Sequence, residues 1–332
     1  MTVSPSILFV IAQPGAAAYF APLWQLWSVD PSAPDWHLLI DPVSRRHVAA
    51  FDIDERRITD LRMVTGDGAE NVMAGRDAAT VVTSTSFHAL ERACLRWAVR
   101  SGRRAVQLID AHYSYRQRIV DTNGPDLLPD AILLPDSIAA AEAASDGLPV
   151  ERLRPLGYPL WEDVAAAPPA DERRALFVSQ PISSDHGTEL GYTERSALAL
   201  ALQLATAEEG GFDEILLARH PREAKDDMPV HDRLHLVSSA GEGLLQAGTI
   251  LGIYSSFLVE AVLAGRRTIS LQPGAVGHDM CVLSRHGVIA KVGDAAGLRR
   301  AVQAPLVAPV AFRQAYAGSL QRLDSYLRST DR

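Results

Sequence analysis

The sequence has 332 residues, of which 47% are hydrophobic and 22% are charged. This length and mixture predict two ordinary globular domains whose cores need neither disulfides nor a structural metal. The formal net charge of −8 argues against nucleic acid as the main partner, because such interfaces require clusters of lysine and arginine. No stretch of the sequence approaches the ~20 apolar residues of a membrane span.

The amino-terminal residues lack the basic segment that opens a secretory signal peptide, so the apolar run at residues 7–11 is expected to form a strand. We therefore expect a cytoplasmic protein with at most peripheral membrane contact. The two cysteines, Cys94 and Cys281, are too far apart in sequence for a zinc-binding or redox pair, and we expect both to be buried.

Short apolar runs alternate with helical patterns along the first half of the chain. Strands are predicted at residues 7–12, 36–40, 78–82, 105–109 and 131–134. Helices are predicted from Gly15 to Trp27 and over residues 87–100 and 138–144. Candidate N-caps for the second of these helices are Ser84, Thr85 and Ser86. This alternation predicts βαβ units and a parallel sheet.

A second series of strands and helices begins after residues 163–174, which are rich in alanine and proline and are predicted to form a linker. Strands are predicted at residues 176–179, 214–218, 234–237, 248–253 and 268–271. Helices are predicted at residues 189–207, 257–264 and 310–327. We therefore predict an α/β protein with two Rossmann-like domains, residues 1–165 and 166–332, facing a central cleft.

The first candidate site is Tyr254-Ser255-Ser256, between an apolar strand and a helix. The unpaired backbone N–H groups of a helix N-terminus, together with serine hydroxyls, can hold a phosphate. The alternative is that Ser255 or Ser256 only caps the helix. Glu260 could accept hydrogen bonds from ribose hydroxyls, or could simply be favoured by the helix dipole in an early turn.

The second and third candidate sites also follow strands of the second half. Arg219-His220-Pro221-Arg222 comes directly after residues 214–218, where histidine and arginine donors can meet a phosphate. Ser179 and Gln180 begin a polar segment after residues 176–178, and they could contact a donor phosphate or sugar. The alternative for Ser179 and Gln180 is an ordinary polar loop.

The fourth candidate site is the segment from Asp110 to Arg118, after the strand at residues 105–109. Asp110 or His112 could be a general base, and Arg116 and Arg118 could hold an anionic sugar or acceptor. The alternative is a helix capped by Asp110 with a solvated basic face. Tyr115, in the same segment, is assigned with Arg116 to the acceptor or sugar site.

Gln13-Pro14-Gly15 is a weak nucleotide-binding turn, and Gly15 joins the acceptor or sugar site. The sequence contains neither a G-x-G-x-x-G nor a P-loop motif, which disfavours a dinucleotide or a P-loop site. It also lacks H-E-x-x-H, C-x-x-C and EF-hand patterns, so we predict no metal site.

His220-Pro221 and Ser255-Ser256 resemble the HP and SS/ST motifs of bacterial sialyltransferases and polysialyltransferases, which are GT-B enzymes that use CMP-activated nonulosonic acids. The resemblance implies that His220, Ser255 and Ser256 contact the CMP phosphate. Ser179-Gln180-Pro181 is similar to the opening of the C-terminal domain of those enzymes. Their acidic motif, which carries the catalytic base, has no match here, since Asp67-Gly68 is preceded by Gly66.

Two other families share short elements with this chain. Similar HP and serine-rich elements occur in glycerophosphotransferases of teichoic acid synthesis. UDP-N-acetylglucosamine 2-epimerases carry a Ser-Gly-Gly element followed by a glutamate, which resembles the arrangement of Ser255, Ser256 and Glu260.

The main functional prediction is an inverting, metal-independent glycosyltransferase that needs no cofactor. It would transfer a sialic-acid-like sugar from a CMP-linked donor, bound by residues 166–332, to a surface glycan or protein acceptor, bound by residues 1–165. One alternative is a UDP-sugar transferase or an enzyme like the UDP-N-acetylglucosamine 2-epimerases. Another is a catalytically silent binding or scaffold subunit of polysaccharide assembly, which the missing acidic motif favours.

Overall fold

The computed structural model describes residues 6–61, 77–84, 88–119, 128–205, 211–220, 222–223, 230–306 and 310–329. The chain divides into two compact units, one formed by Met1–Asp163 with Gln314–Arg332 and the other by Val164–Arg313. Each unit is built on one parallel sheet, which confirms the predicted α/β class. Across the described ranges, no helix combines the length and apolar character needed to cross a bilayer.

The sheet of the first unit has seven strands in the order β3-β2-β1-β4-β5-β6-β7, and all neighbouring strands are parallel. The strands are β1 (Ile7–Ile11), β2 (Trp36–Ile40), β3 (Ile58–Asp60), β4 (Thr80–Thr83), β5 (Arg104–Leu108), β6 (Ala131–Leu134) and β7 (Leu153–Pro155). The helices before the crossing to the second unit are α1 (Pro14–Val29), α2 (Pro42–Arg45), α3 (Ala89–Arg100), α4 (Tyr115–Ile119), α5 (Ser137–Ser145) and α6 (Pro159–Glu162).

An aromatic cluster forms much of the core between the sheet of the first unit and α1. The Phe9 ring meets Phe20 and Trp24 edge to face, with centroids 5.2 Å and 5.4 Å apart, and Trp36 closes the cluster from β2. Edge-to-face pairs of this kind each add about 0.5–1.5 kcal/mol beyond the burial of their area. Proline in the first turn of α1 suits a helix start because its missing N–H would have no helical partner there.

The sheet of the second unit has six parallel strands in the order β10-β9-β8-β11-β12-β13. These are β8 (Asp171–Val178), β9 (Glu214–Ala218), β10 (Leu234–Leu236), β11 (Ala247–Gly252), β12 (Arg267–Leu271) and β13 (Ala290–Val292). The helices of this unit are α7 (Ile182–His186), α8 (Glu194–Ala205), α9 (Ala240–Gln246), α10 (Phe257–Leu263), α11 (Val282–Arg285) and α12 (Ala295–Gln303).

The end of the chain departs from the prediction. The one helix expected at residues 310–327 is two helices, α13 (Val310–Tyr316) and α14 (Ser319–Arg328), separated at Gly318, whose φ of 72° cannot continue a helix. The chain returns to the first unit between Arg313 and Gln314. Residues from 314 onward, predicted with the C-terminal domain, therefore belong to the first unit, where α14 packs on α1 and α6.

The start of β8 corrects the predicted linker, which was expected to extend to residue 174. Strand β8 already begins at Asp171, and Arg174 forms an ion pair with Glu214 of the neighbouring strand at 2.5 Å. The first residues of β8 are exposed and charged, so a prediction based on apolar runs did not include them.

Two predicted helices begin later than expected. Helix α8 begins at Glu194 instead of residue 189, because Gly191 adopts φ 77° and Thr193 Oγ1 accepts from the Ser196 N–H. Helix α3 is capped by His88, so its predicted cap at Ser84 is wrong; Thr85 and Ser86 lie outside the described residues.

Candidate functional site

Each sheet changes the direction of its strand order at one point, and open parallel sheets bind ligands at the carboxyl ends of the strands beside such a point. In the first unit this point lies between β1 and β4, and in the second unit between β8 and β11. Side chains that follow these strands, and those that follow the neighbouring β5, β6 and β9, are the candidates for ligand contact. Most of the residues predicted from sequence lie in these segments.

Glu223 joins the segment after β8 to the segment after β9. One carboxylate oxygen accepts a hydrogen bond from Ser179 Oγ at 2.5 Å, and the other accepts from the His220 N–H at 2.7 Å. The Arg219 guanidinium donates to the Glu223 carbonyl at 2.8 Å. Glu223 therefore brings Ser179, Arg219 and His220 together, although nothing in the local sequence pattern identified it.

The His220 imidazole is held as a neutral hydrogen-bond donor. Burial lowers its pKa below the ordinary value of 6.5, and the positive charge of Arg222 lowers it further, so the ring is neutral at pH 7. Nδ1 accepts from the Arg222 N–H at 3.2 Å, which places the proton on Nε2. An Nε2–H group can donate to a ligand oxygen. The adjoining Pro221 lies outside the described residues.

Arg222 already has an acidic partner. Its guanidinium forms two hydrogen bonds with the Asp185 carboxylate, at 2.8 Å and 2.7 Å, and these hold the pKa of Asp185 below its usual range. The charges of the pair balance each other. To bind a phosphate as the sequence predicts, Arg222 has to exchange Asp185 for the ligand.

Gln180 spans the point where the second sheet changes direction. Its Oε1 accepts a hydrogen bond from the Tyr254 N–H at 2.8 Å, which ties the segment after β8 to the segment after β11. The Tyr254 hydroxyl in turn lies 2.9 Å from His186 Nε2. Gln180 therefore positions the turn that carries the two serines.

Ser255 and Ser256 differ in their contacts and exposure. Ser255 Oγ accepts from the Phe257 N–H, the first N–H of α10, at 3.3 Å, whereas Ser256 occupies the N-cap position. Ser256 is exposed, adopts helical backbone angles and makes no side-chain capping bond. Glu260 lies half-buried within α10. The exposed Ser256 hydroxyl is thus the one better placed to meet a ligand.

In the first unit, Asp110 lies against Gly15 in the first turn of α1. A Cβ atom added to Gly15 would stand 2.3 Å from Asp110 Oδ2, so a larger residue at this position would make the Asp110 carboxylate move. The Tyr158 hydroxyl donates to the Gly15 carbonyl at 3.3 Å. The next helix, α4, begins at Tyr115, so the alternative that Asp110 caps a helix is wrong. The structure brings two predicted residues, Gly15 and Asp110, together.

His112 forms a buried pair with Asp136, which follows β6. His112 Nε2 lies 2.8 Å from Asp136 Oδ2, and the side chains are 8% and 4% exposed. Asp136 was absent from the sequence-based site, although its place directly after the Ala131–Leu134 strand and Pro135 is the same signal that identified Asp110.

Glu91 is a second acidic residue that the sequence analysis missed. It lies in the first turn of α3, is 1% exposed, and its Oε1 accepts from the Ala12 N–H and from Ser84 Oγ, both at 2.5 Å. The carboxylate therefore connects the ends of β1 and β4, where the first sheet changes direction. A glutamate inside an amphipathic helix gives no sequence signal for such burial.

Tyr115 and Arg116 connect their segment to α5. Tyr115 is 3% exposed, packs in the core beside α5 and donates to Glu142 at 2.8 Å. The Arg116 N–H donates to Asp146 at the end of α5. These bonds, with the burial of Tyr115, give the two residues a role in fixing α5. Their predicted contact with a sugar or acceptor stays a prediction.

Known structures resemble this chain over nearly its whole length, although no protein-family model and no curated protein matches its sequence. UDP-GlcNAc 2-epimerase from Neisseria meningitidis, bound to UDP-GlcNAc, gives a TM-score of 0.65 at 10% identity, covering 97% of this chain and 99% of that one. The Methanocaldococcus jannaschii 2-epimerase, in complex with UDP-GlcNAc and UDP, gives 0.61 at 13% identity, covering 97% and 99%. The chain has the GT-B fold.

A glycosyltransferase is also among the similar structures. The glycotransferase of kitacinnamycin gives a TM-score of 0.59 at 12% identity, covering 98% of this chain and 96% of that one. These likenesses confirm the predicted GT-B architecture, which accommodates both epimerases and transferases. At such identities they establish the fold, and the activity has to be argued from the site residues.

Proposed function

We propose that this GT-B protein is an enzyme that binds a UDP-linked sugar and inverts the configuration of one carbon of the sugar ring. This is the type of reaction for which the 2-epimerases that it resembles are named. The proposal rests on what each unit carries by itself: candidate nucleotide-binding residues follow strands of the second unit, and two candidate proton-transfer groups, Asp110 and His112, follow β5 of the first unit. The similarity to epimerases with bound UDP-GlcNAc supports it.

The second unit supplies the proposed nucleotide-binding residues. His220 offers a neutral Nε2–H, and Ser256 offers an exposed hydroxyl. Glu260 is proposed to accept hydrogen bonds from the ribose hydroxyls. Ser179 and Gln180 are proposed to act on the nucleotide indirectly, because their side chains hold the segments that carry His220 and Ser256.

The first unit supplies the proposed acid and base. Inverting a carbon that carries hydrogen requires removal of a proton from one face and delivery of a proton to the other, and it needs no acceptor substrate. Asp110 and His112 stand two residues apart after β5, and each is held by a contact outside its own segment. We propose that one of these two groups is the acid and the other the base.

Glycosyl transfer is the second candidate, and the kitacinnamycin glycotransferase neighbour favours it. In that case His112 or Asp110 would deprotonate an acceptor hydroxyl, and His220 and Ser256 would hold the leaving phosphate. The CMP-nonulosonate donor rests on the HP and SS motifs alone. The UDP-bound neighbours favour a UDP-linked sugar.

A thermal-shift panel of UDP, UMP, CMP, CDP, GDP and NAD tests the nucleotide assignment. At about 100 times its dissociation constant, a ligand that binds only the folded state adds about 2.7 kcal/mol to the free energy of unfolding. We expect UDP to give the largest shift in the wild type, His220→Ala to lose it, and His235→Ala, which changes a histidine on the outer strand β10, to keep it.

Two results of the panel would contradict the proposal. Stabilisation by CMP but not by UDP would support transfer from a CMP-sugar instead. The absence of a shift with every nucleotide would leave only the scaffold alternative.

A further inference from the structure

Asp136 is the centre of a buried hydrogen-bond network that no sequence motif assigned. Its Oδ1 accepts from the Ala139 N–H at 2.8 Å, so the residue caps α5. Its Oδ2 accepts from His112 Nε2 and from the Tyr316 hydroxyl, each at 2.8 Å. All three donors point at one carboxylate that is 5% exposed.

The surroundings keep Asp136 charged. Burial by itself raises the pKa of this carboxyl, but the bonds from His112, Ala139 and Tyr316 outweigh burial and bring the pKa below its usual value. The N-terminus of α5, which has nine residues, also favours a negative charge at its cap. Burial and the Asp136 charge raise the pKa of Tyr316, so its hydroxyl stays protonated and donates.

A charged Asp136 determines which nitrogen of His112 carries the proton. A carboxylate can only accept, so whenever the ring carries a single proton that proton is on Nε2, the nitrogen that faces Asp136. The nitrogen with the lone pair is then Nδ1. This is the arrangement in which an acidic partner fixes the tautomer of a general base and stabilises the imidazolium that forms.

The segment that carries His112 is fixed on its far side as well. Ser114 adopts φ 56°, an uncommon left-handed conformation for a residue other than glycine. Directly after it, the buried Tyr115 anchors the chain through Glu142 of α5. His112 is thus held between Asp136 and this anchor.

We propose that Asp136 and Tyr316 are positioning residues that fix His112 as the Nε2–H tautomer, so that Nδ1 is the atom that accepts the proton in the reaction. In the forward step the sugar C–H bond breaks and the proton bonds to Nδ1, which makes His112 a cation beside the Asp136 carboxylate. The electron pair of the C–H bond forms a double bond to the anomeric carbon as the bond from that carbon to the UDP oxygen breaks, and the reverse addition of a proton and UDP gives the product. The later return of the Nδ1 proton to product or water restores the neutral ring. The catalytic part of this inference rests on the proposed function, whereas the tautomer does not.

Histidine ¹⁵N NMR on the full chain tests the tautomer without substrate. The His112 signals are assigned by their loss in His112→Gln. We expect the wild type to show a protonated Nε2 and an unprotonated Nδ1. Asp136→Asn, whose amide can donate to Nε2, is expected to shift the ring toward the Nδ1–H form. Asp294→Asn changes the aspartate that caps α12 through the Gly297 N–H, with no histidine bonded to it in the described structure, and is the matched control.

Turnover measurements complete the test. We expect Asp136→Asn to lower kcat by a factor of about 10²–10⁴ with unchanged nucleotide affinity, as the loss of the correct tautomer does in histidine-dependent enzymes. Tyr316→Phe, which keeps the carboxylate and removes one donor, should lower kcat less and leave the Nε2–H form in place. Asp294→Asn should keep the wild-type kcat.

An Nδ1–H form in the wild type, or an unchanged tautomer in folded Asp136→Asn, would overturn the proposal. Full activity in Asp136→Asn would overturn its catalytic part. Because the tautomer is read without substrate, these failures are distinct from a failure of the enzyme to act on UDP-sugars, which would contradict the proposed function instead.

Discussion

The His112→Gln variant is expected to lose catalysis and keep its ligand. We predict a fall in kcat by a factor of about 10²–10⁴, the usual contribution of a positioned general base. Glutamine can still donate to Asp136 and fill the buried space, but it cannot take up a proton at neutral pH. UDP affinity is expected to stay at the wild-type value, because the proposed nucleotide contacts belong to the second unit. Steady-state kinetics and nucleotide titration measure the two quantities.

His37→Gln is the matched control for this prediction. His37 lies on β2 of the same sheet, is half-buried and bonds to a neutral partner, Thr59 Oγ1, at 2.9 Å. We expect its kcat to match the wild type. A wild-type kcat in His112→Gln would show that His112 takes no part in the reaction. Equal losses of kcat in both variants would point to a general effect on the sheet.

The Gly15→Ala variant is expected to disable the enzyme through Asp110. The new methyl group would stand 2.3 Å from Asp110 Oδ2 and 3.5 Å from its Cγ, so the carboxylate must move. A misplacement of about 1 Å at a reacting group can cost about 10²-fold in rate, and we predict a fall in kcat of that order. The measurement is kcat at saturating sugar nucleotide, together with the free energy of unfolding.

Gly241→Ala is a close control, since both glycines are the second residue of a helix. A Cβ atom on Gly241 meets only Ser239 Oγ, at 3.9 Å. That variant should keep the wild-type kcat, and alanine at a compatible position adds about 0.4–1 kcal/mol of stability. If Gly15→Ala also kept the wild-type kcat, the position of the Asp110 carboxylate would not matter to the reaction.

The alternating strands and helices of the two sheets could be predicted from the sequence. The apolar runs gave strands such as Trp36–Ile40 and Glu214–Ala218 at their observed bounds, because central parallel strands are buried on both faces. The short outer strands β3, β7 and β13 were missed, since three residues with partial exposure carry no periodic signal. The charged start of β8 was not predicted for the same reason, because it contains no apolar run.

Candidate site residues could be predicted where polar or titratable side chains follow directly after a strand. Asp110, His112 and His220 were selected as candidates in this way, because strand ends meet at one edge of a parallel sheet. Two residues that support them could not be predicted: Glu223, which accepts from the His220 N–H, and Tyr316, which donates to Asp136, the partner of His112. Tyr316 reaches Asp136 across 180 positions of sequence, and Glu223 reaches Ser179 across 44, so their roles exist only in the folded chain.

Hydrogen exchange at the sugar ring is the most direct test of the proposed reaction. The protein is incubated with UDP-GlcNAc in D₂O without an acceptor, and ¹H NMR follows the proton at the sugar C2. We predict loss of this signal and the appearance of a second UDP-linked sugar, with both processes abolished in His112→Gln. A C2 proton that persists in a sample whose enzyme is saturated with UDP-GlcNAc would contradict the epimerase proposal.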